Sequence, residues 1–102
     1  GAGVIDLIPV DPKPLGRFPP TPMPPDVADH VAAVAVFGNP LRDISGGGPL
    51  PELSGVYGPK TIDLCGLDDP FCSSGLNFAA HFSYVKNGMV DQATSFVADR
   101  VR

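Results

Sequence analysis

The sequence has little with which to grip a polyanion or a membrane. Its seven cations (Lys13, Arg17, Arg42, Lys60, Lys86, Arg100 and Arg102) are scattered, and the net charge is −4. Binding to nucleic acid rests on clustered charge that neutralises phosphates, so this pattern argues against a nucleic-acid partner. The same scatter argues against a polybasic membrane anchor. Val31 to Phe37 is the longest unbroken apolar run, at seven residues, whereas a bilayer-spanning helix needs roughly 20; no transmembrane segment is expected. The chain lacks an initiator Met and a signal peptide with a basic start and apolar middle. It opens on Gly1-Ala2-Gly3-Val4, which reads like the inside of a domain, so a fragment or processed form is expected. Cysteine is sparse. With only Cys65 and Cys72 available, and with His30 and His81 far from each other in sequence, the four ligands of a zinc site are not in view. Neither a metal nor a cofactor is expected.

What is present is globular. The 102 residues are 43% hydrophobic and 18% charged, about one domain's length with enough apolar surface to offset the entropy of ordering. Cys65 and Cys72 stand seven positions apart and could be free thiols or a disulfide closing a small loop. The disulfide is the better reading, and it carries the expectation of an oxidising compartment and hence of a secreted or cell-envelope protein.

Five stretches separate along the chain. Ala2 to Ile8 reads as a short helix running into Pro9. Residues 9–25 hold eight of the thirteen prolines, which excludes regular helix or a central strand and predicts an extended surface excursion. Asp26 to His30 suits a helical turn with Asp26 as its cap. Val31 to Phe37 is β-branched, continuous and closed by Gly38-Asn39-Pro40, as expected of a strand buried on both faces of a parallel sheet. Leu41 to Gly58, with Gly46-Gly47-Gly48 and two prolines, reads as a long irregular loop. Lys60 to Cys65 is a second strand, and 66–83 is loop again. Residues 88–102 form the last element, with Met89, Val90, Ala93, Phe96, Val97 and Val101 on one stripe of a helix. Asn87 is its expected cap, and Arg100 and Arg102 suit the negative end of its dipole. Two strands cannot bury themselves as a parallel sheet. Half of an α/β sheet is therefore expected, with the missing N-terminal half of the same domain covering the edge beside the first strand.

Chemistry concentrates after the second strand. Asp68-Asp69 follows the strand within a few residues, between the two cysteines, and His81 comes twelve positions after Asp69. Functional groups of open α/β sheets gather at the carboxyl ends of strands. Acid before histidine is also the chain order in α/β-hydrolase triads, where the serine comes first. A lone loop histidine is more often structural, and Asp-Asp-Pro is normally a turn; the argument rests on the conjunction.

Four pieces of the sequence carry a resemblance to a known family. Val34-Ala35-Val36-Phe37-Gly38-Asn39-Pro40 resembles the strand and turn after the nucleophile helix of the cutinases. Cys65-Gly66-Leu67-Asp68-Asp69-Pro70-Phe71-Cys72 matches their Cys-x-x-x-Asp-x-x-Cys loop, and His81-Phe82-Ser83-Tyr84 matches their His-x-x-Tyr. Gly1-Ala2-Gly3 looks like the tail of their nucleophile elbow, Gly-Tyr-Ser-Gln-Gly-Ala. The chain resembles the C-terminal half of a cutinase, in the mycobacterial branch of cutinase-like serine esterases. The resemblance implies a three-layer α/β-hydrolase with a parallel sheet, to which residues 1–102 supply the last strands and the C-terminal helix. It implies a Cys65–Cys72 disulfide, Asp69 rather than Asp68 as the triad acid, and His81 as the base.

The implied activity is carboxylic ester hydrolysis through an acyl-enzyme, on acyl or lipid esters. Phe71, Leu76, Phe78 and Phe82 flank the acid and base in sequence; they either form an acyl-binding crevice or simply pack the loop. The serine itself is not in the chain. Ser45, Ser54, Ser73, Ser74, Ser83 and Ser95 are present, but none stands in a Gly-x-Ser-x-Gly elbow. By the elbow alignment the nucleophile belongs two residues before Gly1, and the 102 residues alone are expected to be inactive. An acyltransferase on the same fold and a secreted, non-catalytic binding or antigenic domain are the alternatives.

Overall fold

A computed structural model describes residues 1–9, 21–44 and 47–101. Helix α1 is a single turn, Ala2–Ile5. Strand β1 spans Val34–Phe37, strand β2 spans Thr61–Leu64, and helix α2 spans Met89–Arg100. Between them the backbone makes 3-10 turns at Pro25–His30, Pro40–Asp43, Leu50–Leu53, Gly58–Lys60 and Phe78–Phe82. The two strands pair in parallel with Val34 opposite Thr61 and Phe37 opposite Leu64. Gly38 N–H adds one further bond to Leu64 O at 2.9 Å, so both chains leave the sheet side by side at its carboxyl end.

Both strands are shorter than their apolar runs suggest, and β1 is less buried. Only Val36 of β1 is fully buried. Helix α2 packs against both strands through the stripe that its sequence predicts, with Ala93 buried and Met89, Val90, Phe96 and Val97 half-buried. Val101 lies past the helix end and is exposed. Gly88, at φ +83°, takes the cap position expected of Asn87. Asn87 stands one residue outside that cap, its Oδ1 accepting from Met89 N–H at 3.0 Å. The turn at Pro25–His30 likewise starts one residue early, and Asp26 stands in its first turn instead of capping it.

The segment after β1 departs most from the sequence expectation. Leu41, Leu50 and Leu53 form the hydrophobic core with Val36, and Ala2, Leu7 and Val34 pack around them. Glycine and proline interrupt any period in this stretch, so its leucines carry no pattern, yet the 3-10 turns aim each of them inward. Tyr57 and Ser54 are buried with them. Of the Pro-rich stretch, residues 10–20 lie outside the described residues. Thr21 and Met23 run back along α1's exit, donating to Leu7 O and Ile8 O.

Candidate active site

The site is assembled where the two strands end. Beyond β2 the chain enters the loop closed by Cys65 and Cys72, whose sulfurs are bonded 2.06 Å apart. Asp68 adopts a left-handed conformation at φ +65°, which a short polar side chain tolerates, and its side chain is exposed. Asp69 turns the other way and is completely buried. Its Oδ1 accepts from Phe71 N–H at 2.8 Å. Its Oδ2 accepts from the Tyr84 hydroxyl at 2.6 Å and lies 2.9 Å from His81 Nδ1. The 3-10 turn Phe78–Phe82, with Asn77 Oδ1 accepting from Ala79 N–H at 3.1 Å, delivers His81 to that position.

These contacts favour an ionised Asp69. Burial pushes the Asp69 carboxyl up, but the bonds from Tyr84, Phe71 and His81 outweigh it and keep it below its ordinary value. An ionised Asp69 is an acceptor only, so Nδ1 of His81 donates to it, and the neutral form of the ring is the tautomer with its lone pair on Nε2. Burial, together with the bond donated to Asp69, pushes the Tyr84 phenol up to about 12, so it stays a donor.

A cavity of about 570 Å³ lies over this pair. His81, Phe71, Phe37 and Gly38 line one part of it, and Gly1 to Val4 with Asp6 and Leu7 line another. Among the described residues no serine lines it. Of the four apolar candidates, Phe71 reaches the cavity and packs on the His81 ring at 4.3 Å between centroids. Phe82 stands edge-on to His81 at 5.4 Å, and Phe78 edge-on to Phe71 at 5.9 Å. Both are turned to solvent, 82% and 65% exposed, and Leu76 is 89% exposed; none of these three lines the cavity.

Two features were missed in the sequence. Gly38, at φ +59°, lies directly against the His81 ring; the Gly-Asn-Pro signal announces a turn but not its neighbour. The second is a buried polar group beneath α1. Asn39 donates to Asp6 Oδ1 at 2.7 Å and Asp63 Oδ2 at 3.2 Å, while its own Oδ1 accepts from Leu41 N–H. Asp63 also takes Leu50 N–H and faces Arg42 at 3.5 Å. Burial pushes the Asp6 carboxyl up to about 6, the Asn39 bond opposing and the Asp63 charge adding. Among the described residues, no group of three or more His, Cys, Asp or Glu is placed to hold a metal ion, and no helix is long and apolar enough to cross a membrane.

Comparison with known proteins places the chain in a family. Over 83 residues the chain is 54% identical to a carboxylesterase of Mycobacterium tuberculosis, Culp1, covering 78% of this chain and 38% of that protein. It is 47% identical over 101 residues to a phospholipase of the same species, Culp4, covering 99% of this chain and 43% of the relative. A probable carboxylesterase, Culp7, is 40% identical over 98% of this chain and 54% of its own length. The chain thus spans roughly 38% to 54% of the length of these curated relatives. No solved structure matches it. The cutinase family model matches residues 1–101, and the chain belongs to the cutinase family, within its mycobacterial branch.

Proposed function

We propose that this chain supplies the acid and base of a serine esterase that hydrolyses carboxylic esters through an acyl-enzyme. The observation that carries the reading is the 2.9 Å contact between buried Asp69 Oδ2 and His81 Nδ1, with His81 at the wall of an open cavity. Relatives named carboxylesterase and phospholipase support ester hydrolysis as the reaction class. Nε2 of His81 takes the proton of the serine hydroxyl as its oxygen attacks the ester carbonyl. The same proton then goes to the leaving alcohol, and a water repeats the sequence to free the acid. Asp69 keeps the proton on Nδ1 and stabilises the imidazolium.

The serine belongs to the elbow that Gly1-Ala2-Gly3 resembles, two residues before Gly1 in the complete protein. Gly1 to Gly3 line the same cavity as His81, which is where such a nucleophile would be needed. The strands preceding it complete a three-layer α/β-hydrolase beside β1, and residues 1–102 form the later part of that single domain. Phe71 walls the acyl site. The Cys65–Cys72 disulfide suits an oxidising compartment, consistent with a secreted or cell-envelope enzyme acting on acyl or lipid esters.

The test is hydrolysis of short- and medium-chain acyl esters by the complete protein and by its Asp69→Asn and His81→Ala variants. Loss of the carboxylate should lower kcat about 10⁴-fold, as in the template triad. Full hydrolysis by Asp69→Asn would sink the reading and favour a non-catalytic binding domain. Ester products formed with an added alcohol would instead show acyl transfer. The 102 residues alone should show no turnover above a His81→Ala control.

A further inference from the structure

Tyr84 is bonded to the acid of the proposed pair but has no part in the proton transfers above. It is buried, and its hydroxyl donates to Asp69 Oδ2 at 2.6 Å. That is the same oxygen that faces His81 Nδ1. The phenol oxygen accepts from Gly66 N–H at 2.9 Å and lies 3.6 Å from Cys72 Sγ. Its ring packs edge-on against Phe37 at 5.5 Å. Tyr84 is therefore anchored by the end of β1, by the residue pair that follows β2, and by the disulfide. An aromatic side chain needed only for packing has no use for a short charge-assisted bond to the one oxygen that orients the histidine.

We infer that Tyr84 is a positioning residue: it fixes Asp69 Oδ2 toward His81 and, by drawing on that oxygen's charge, sets the pH at which His81 becomes a free base. The inference deepens the acid and base assignment above and rests on it. Two donors share Oδ2, so charge committed to the phenol is not available to stabilise the imidazolium. Among the described residues, few other titratable groups stand near His81. From the disulfide loop it faces Asp69, and from its own segment Tyr84. Flanking α1, Asp6 and Gly1 line the same cavity, and among the described residues the end of β1 contributes Phe37 and the adjoining Gly38, which do not titrate. The phenol, raised to about 12 by burial and by Asp69, donates throughout the working range.

The experiment uses the complete protein. The His81 ring nitrogens are followed by NMR against pH, beside the pH profile of kcat/KM. In Tyr84→Phe the His81 titration and the acid limb of the profile should both move up by about half to one unit. Plateau kcat should fall about tenfold with KM unchanged. A second arm keeps the side chain and changes its acidity: 3-fluorotyrosine incorporated site-specifically at position 84. The more acidic phenol should move both titrations down. Unchanged His81 titration in both arms, with only the melting temperature lowered, would overturn the inference. If Tyr84→Phe does not fold, the fluorotyrosine arm decides alone. Failure of the acid and base assignment looks different: the wild type or Asp69→Asn activity contradicts it, while the NMR titration still reports whether Tyr84 controls His81.

Discussion

Gly38 and His81 touch so closely that a Cβ on the glycine would lie 2.5 Å from Cε1 and 2.6 Å from Nδ1 of the imidazole. The carbon would also stand 3.0 Å from Asp69 Oδ2. The end of β1 thus forms the wall against which Asp69 and His81 are pressed together. Gly38→Ala adds an unfavourable left-handed residue, at about 1–2 kcal/mol, and displaces the ring. A displacement of about 1 Å at a reacting centre costs roughly 10²-fold in rate. The complete protein carrying Gly38→Ala should lose at least that in kcat, measured by ester hydrolysis on folded enzyme. Near wild-type turnover would show that the ring has room to move.

The disulfide should matter to both stability and activity. It closes the loop carrying Asp69, and Cys72 is buried against Tyr84. The loop-entropy relation gives about 2.5 kcal/mol for a loop this short. Replacing both cysteines by serine should lower the melting temperature and also reduce kcat, since Asp69 and Tyr84 lose a common support. Equal melting temperatures with and without reductant would contradict this.

Stability should change with pH in two opposite senses. The folded Asp6 carboxyl titrates near 6, above its ordinary 3.8. The fold therefore prefers its neutral form; that stabilisation is full below about 3.8 and is lost as pH rises through about 6. The span corresponds to about 3 kcal/mol. Asp69 is held below its ordinary value, so its contribution is present above the usual carboxylate range and disappears as pH falls beneath it. The melting temperature should rise from pH 7 to pH 5 and fall again in stronger acid. Asp6→Asn should flatten the first slope while keeping the acceptor for Asn39. An unchanged slope in Asp6→Asn would assign the effect elsewhere.

The apolar side chains around the site show where local reading stops. Phe71, Leu76, Phe78 and Phe82 stand alike in the sequence, near the acid and base. Only Phe71 lines the cavity, because the 3-10 turn at Phe78–Phe82 points His81 inward and leaves Phe78 and Phe82 on its outer side. The segment Leu41 to Gly58 departs from its expected irregular loop for a related reason. Its leucines are brought together by two separate turns, so no period of 2 or 3.6 links them, and their burial depends on Val36 and Leu7 being opposite.

The sequence by itself determined the two parallel strands and the stripe of α2, and its resemblance to the cutinase Cys-x-x-x-Asp-x-x-Cys loop pointed to Asp69 instead of Asp68. Hydrophobic period and cysteine spacing are properties of neighbouring residues, and neighbours are what a sequence records. Only the tertiary structure decided that Gly38 walls the imidazole, that Tyr84 shares an oxygen with His81, and that Asp6, Asn39 and Asp63 form one buried group. Each of these joins residues separated by a strand or a loop. Their contact exists because parallel pairing brings the ends of β1 and β2 side by side, and no local pattern in the chain encodes that meeting.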